Sequence, residues 1–154
     1  MPQRTTEEKL AHRFAYAFSL LHGAESVSEK ENPVAIAALP VFLLLGFALE
    51  NAFASFLIAN KHSNHADYKN HNLERAMKAA KKYDLILNTE ASDFIKEQAP
   101  LQMNFVFRYP EKMEGADLPP VKEACKMVRD ILKDIDTVLR TKGIDLDKIA
   151  SELD

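Results

Sequence analysis

The sequence predicts an all-α fold, an up-and-down bundle of four to five main helices followed by a short C-terminal helix. Three observations lead there. The 154 residues contain only four Gly and few alternating β-branched runs. The run from Val34 to Ala59 is apolar nearly all round, with Glu50 as its one charge and Asn51 as its one amide. Such a helix must be enclosed by other helices or by lipid. Near the other end, Val121, Cys125, Val128, Leu132, Ile135 and Leu139 step by four and three, the spacing of a helical seam.

The elements follow in order. Thr5 and Glu8 form a capping box, and Leu10, Phe14, Ala17, Leu21 and Ala24 recur at helical spacing, which predicts a first helix over 6–28. Pro33 suits the first turn of a second helix, which should run to about Lys61 and bend at Pro40. Val41, Leu44, Leu45, Ala48, Ala52 and Leu57 are its expected buried residues. The polar stretch HSNHADYKNH reads as a loop. Asn70 or Asn72 caps a third helix, LERAMKAAKKYDL, and Thr89 caps a fourth, which Pro100 breaks or kinks. The aromatic, Pro-terminated NFVFRYP is expected to be irregular or extended. Pro119 and Pro120 open the fifth helix. Ala124, Ile131 and Val138 widen its seam, and Gly143 ends it. Asp145 starts the short last helix. No linker or repeat divides the chain, so 1–154 reads as one domain with its core over about 5–140.

Composition is that of a globular domain, 47% hydrophobic and 28% charged. A net charge of -3 argues against broad phosphate-backbone binding and gives no DNA-specific signal. A single Cys125 rules out an internal disulfide and fits a reducing, cytoplasmic setting. The charge-free part of the apolar run is shorter than the roughly 20 residues a spanning helix needs, so a buried central helix is expected rather than a membrane segment. MPQRTTEEKL lacks the order of a signal peptide. The wide apolar faces of the second and fifth helices predict a homodimer.

Several residues carry candidate chemistry. Glu50, flanked one turn away by Gly46, Phe47, Phe53 and Ala54, needs a cation or several donors to stay charged. Arg108 in the Arg108-Tyr109-Pro110 tripeptide is the expected partner, within direct or single-water reach, with Asn51 and Tyr109 completing a candidate binding site. His62, His65 and Asp67, with His71 nearby, form a weaker candidate metal site of the His/carboxylate kind, although the spacing matches no zinc pattern. Lys78, Lys81 and Lys82 make a small basic face that reads as a solvated surface. Cys125 reads as a buried, inert thiol. Neither a Gly-rich phosphate loop nor a nucleophile elbow occurs, and no cofactor is called for.

The order of motifs carries a resemblance. A long first helix ends in an acidic turn, and the second helix carries FALENAFASFLI. A polar loop leads into His71-Asn72-Leu73, and the RYP tripeptide precedes the last long helix. This arrangement resembles the HEPN superfamily of helical bundles (higher eukaryotes and prokaryotes nucleotide-binding) over about 5–140. The resemblance implies a four- or five-helix domain, often dimeric, with a nucleotide, RNA or partner protein as ligand. It places the chain in a bacterial-type defence or toxin–antitoxin context. Catalytic members carry an Arg followed a few residues later by a His. Here the last histidine is His71 and no Arg before it has that spacing, so the family's ribonuclease activity does not carry over. The expectation is a non-catalytic HEPN-like interaction or binding module, with no catalytic residues assigned. The alternatives are a divergent ribonuclease or nucleotide-processing enzyme around Glu50, Arg108 and Tyr109, and a metal-dependent protein using His62, His65 and Asp67.

Overall fold

A computed structural model describes residues 5–29, 35–103 and 118–151. The elements are α1 (Thr6–Ser28), α2 (Ala35–Ala59), α3 (Ala66–Lys69), α4 (Leu73–Ala80), a 3-10 turn (Lys81–Tyr83), α5 (Thr89–Met103), α6 (Val121–Thr141) and α7 (Leu146–Ser151). The fold is all-α, and no strand occurs among the described residues.

Local signals set the helix ends. The Thr5 side chain accepts from the Glu8 amide while Glu8 accepts from the Thr5 amide at 2.6 Å, closing the capping box. Asn72 caps α4 by accepting from the Arg75 amide. Pro120 stands at the N-cap of α6. At its far end Gly143 takes φ +80°, a left-handed conformation that costs glycine little. Four expectations need correction. The stretch after α2 is not all loop, because Ala66–Lys69 forms one helical turn. Asn88 rather than Thr89 caps α5, its Oδ1 accepting from the Ala91 amide at 2.7 Å. The third helix stops early, where Asp84 adopts φ +68° after the 3-10 turn. Pro100 does not end α5, which runs on to Met103.

Helix α2 is the centre of the molecule and packs against α1, α3, α4, α5 and α6. Its Val41, Leu45, Ala48, Ala52 and Leu57 are buried as expected, together with Phe42, Leu49, Phe53 and Phe56, whereas Leu44 is only half-buried. The segment Ala38–Ala59 is long and apolar enough to cross a membrane, yet 67% of its most apolar window is buried against the protein's own helices. Much of the apolar surplus expected to face a second copy is therefore covered within the chain. On α6, Ala124, Cys125, Val128, Ile131, Leu132, Ile135 and Leu139 are buried, which is the predicted widened seam except for the half-buried Val121 and Val138. Arg129 of α6 clasps Glu25 of α1 through two hydrogen bonds, Nε to Oε1 at 2.8 Å and Nη2 to Oε2. Beside this pair, burial pushes the Cys125 thiol above its usual pKa, as suits an inert core sulfur.

Candidate functional site

The polar residues of interest gather where α2, α3 and α4 meet. At residue 62 the chain leaves α2 through Lys61, which has φ +55°, and the His62 ring turns inward. Its side chain is 7% exposed. Nε2 lies 2.6 Å from Asp67 Oδ2, and Nδ1 lies 2.8 Å from the Tyr83 hydroxyl. A carboxylate can only accept, so in the neutral ring Nε2–H donates to Asp67 and the Tyr83 hydroxyl donates to Nδ1. The other oxygen, Oδ1, accepts from Arg75 Nε and from Asn64 Nδ2 at 3.1 Å. With His62 and Arg75 as its donors, Asp67 is held below the usual carboxylate pKa although burial opposes the shift.

This geometry corrects the metal expectation. His62 and Asp67 are brought together, but by hydrogen bonding to each other, and both ring nitrogens of His62 are engaged. His65 is exposed and lies against the Tyr68 ring at 5.7 Å. Among the described residues, no three His, Cys, Asp or Glu side chains converge to hold a metal ion.

A second polar cluster lies about two and a half turns back from the end of α2. Glu50 is half-buried, with its side chain 15% exposed. Its Oε2 accepts from His71 Nδ1 at 2.9 Å and its Oε1 from Gln102 Nε2 at 2.9 Å. The carboxylate is thus met by donors from the residue preceding the α4 cap and from the last turn of α5. The expected partner Arg108, with Tyr109, lies outside the described residues. The need of Glu50 for a cation or several donors is met here by an imidazole and an amide. Asn51 does not join this cluster, since its Nδ2 donates back to the Phe47 carbonyl of its own helix at 2.8 Å.

Gly46 makes room for the cluster. A Cβ placed on it would stand 2.1 Å from Gln102 Oε1. That oxygen is buried without a hydrogen-bond partner among the described residues, in a residue only 5% exposed. Gly46→Ala should therefore force Gln102 off Glu50 and destabilise the fold by about 1–3 kcal/mol, the range for overpacking a core. Gln102→Ala should absorb part of that loss. Denaturant melts of the two single variants and the double variant test this, and strictly additive losses would show that the two residues do not meet.

Away from these clusters, a groove of about 160 Å³ between α5 and α6 is lined by Glu90, Glu123, Asp130, Asp134 and Lys126. Burial and the neighbouring Asp130 raise the Asp134 pKa. None of the candidate site residues read from the sequence lines it. Sequence reasoning missed Gln102, Tyr83, Asn64 and Arg75 as members of the polar clusters. A polar residue on the apolar side of a helix was the one signal available for Gln102, and nothing local marked the rest.

Compared with known proteins, the chain matches no family model, no curated protein and no solved structure.

Proposed function

We propose that this chain is a non-catalytic, HEPN-like interaction or binding module that takes a nucleotide, RNA or partner protein. The observation that carries the reading is the closed set around Asp67. Both of its oxygens and both nitrogens of His62 are engaged by neighbouring side chains, so this most reactive-looking group is part of the scaffold. At the same end of the bundle, the half-exposed side chains of His71 and Arg75 offer polar contacts to a ligand. The defence or toxin–antitoxin setting and the cytoplasmic location follow from the resemblance and from the single cysteine. A two-fold homodimer belongs to the same proposal, with the half-buried Leu43 and Leu44 of α2 as the surface for it. A monomer mass by light scattering at micromolar concentration would remove the dimer.

The reading is tested by incubating the protein with labelled oligouridylate and with ATP while following both binding and cleavage. Binding without turnover is the expected result. Absence of binding to either probe would leave a protein partner as the ligand class. RNA cleavage that disappears in Arg108→Ala with the fold intact would overturn the reading. It would favour the alternative, a divergent ribonuclease or nucleotide-processing enzyme around Glu50, Arg108 and Tyr109. That alternative has one observation on its side, the carboxylate–imidazole contact between Glu50 and His71.

A further inference from the structure

We infer that His71 is a ligand-binding residue, an imidazole fixed so that its Nε2 accepts a hydrogen bond from a hydroxyl of an incoming ligand. The inference stands on the Glu50 cluster alone and does not depend on the ligand proposed above. Glu50 Oε2 lies 2.9 Å from His71 Nδ1. Because an ionised carboxylate only accepts, the ring proton sits on Nδ1 and the lone pair of the neutral ring sits on Nε2. The side chain is 54% exposed, and Nε2 has no partner among the described residues. This is the orientation that a carboxylate imposes on the imidazole of acid–base sites in general.

The rest of the cluster serves to hold that orientation. Glu50 is fixed from its other side by Gln102, and Gln102 reaches it only because Gly46 carries no Cβ. His71 itself has φ +55°, a conformation unfavourable to a branched side chain and met here in the residue just before the Asn72 cap. Strain of this kind persists where surrounding contacts over-determine it, and the Glu50 contact is one such. A ligand O–H then donates its hydrogen bond to the fixed Nε2 lone pair. Gln102 and Gly46 are positioning residues in this scheme.

The chain holds four other histidines as internal references. His62 is buried with both nitrogens engaged. His12 and His65 are exposed, and His22 stands 3.5 Å from a Glu25 carboxylate already committed to Arg129. Diethyl pyrocarbonate acylates neutral imidazole nitrogens, so the experiment follows ethoxycarbonylation of each histidine by peptide mapping at one mildly alkaline pH. His71 should react several-fold faster than His12 and His65, His62 should be almost inert, and Glu50→Gln should bring His71 down to the rate of His12. Nitrogen-15 NMR of the wild-type protein gives a second reading that needs no variant. The neutral His71 ring should be the Nδ1–H tautomer, whereas a free imidazole side chain prefers Nε2–H. A His71 rate no higher than that of His12, or an Nε2–H tautomer, would overturn the assignment. Loss of RNA or nucleotide binding with both signatures intact would instead count only against the proposed ligand class.

Discussion

Replacing Asp67 by Ala should destabilise the protein by about 3 kcal/mol, the lower end of the cost of leaving buried charge partners uncompensated. The carboxylate is 11% exposed and accepts from His62, Arg75 and Asn64 at once. Without it, His62 Nε2–H is left buried without an acceptor, and unpaired buried donors carry their full desolvation cost. Arg75 is 46% exposed and can turn to water, which keeps the loss from reaching the upper end. Asp67→Asn retains an acceptor for Arg75 and should lose roughly half as much. The pH dependence has a definite sign. The Asp67 pKa is lowered on folding from 3.8, so its contribution is full above that value and disappears as pH falls through the lower folded value. The Asp67→Ala variant should therefore lose less stability than wild type on acidification. Urea midpoints across an acid series decide the matter. A loss under about 1 kcal/mol at neutral pH would mean that the set is not a stabilising unit.

Phe53→Ala should cost about 3–5 kcal/mol, as large aromatic truncations in closed cores do. Phe53 is fully buried on α2, the helix that every other main helix touches. Its neighbours along the helix, Leu49, Ala52, Phe56 and Leu57, are fully buried as well, so relaxation into the cavity would have to move several elements together. Equilibrium unfolding should show a lower midpoint with an unchanged slope, since the surface exposed on unfolding barely changes. A loss comparable to that of an exposed site would show that the packing around α2 is far looser than described.

The parts of the fold that were legible in the sequence are those specified by neighbours in the chain. The Thr5–Glu8 box fixed the start of α1, and the stepped apolar positions of α6 announced its buried face. Gly143 marked the end of α6 through a conformation other residues avoid. Where two local signals competed, the reading slipped. Asn88 and Thr89 are both good caps, and only the docked helix selects Asn88. The four-residue turn of α3 contains no apolar period to betray it, and Asp67 within it is buried by its polar partners rather than by hydrophobicity. The polar clusters were less legible still. The need of Glu50 for donors follows from its flanks, but His71 and Gln102 lie 21 and 52 residues away, and sequence spacing says nothing about which side chains meet at that range. For the metal reading, the right two residues were close, yet composition could not distinguish a hydrogen-bonded His–Asp pair from a pair converging on an ion.

Pro100 has a kinetic consequence for this cluster. It lies inside α5 without an amide hydrogen, and its ring crowds the carbonyl four residues earlier, so the helix beyond it is joined to the preceding turns by one backbone bond fewer. Gln102 belongs to that last, weakly joined stretch, and its contact with Glu50 ties it to α2. The end of α5 should therefore open at a lower free-energy cost than the rest of the bundle. Each opening withdraws one of the two donors from Glu50 and gives the carboxylate, and the imidazole resting on it, a moment of rotational freedom. The His71 orientation should then loosen with the opening of a helix end more than thirty residues away in the chain, and amide exchange in the last turn of α5 is the measurement that would read it.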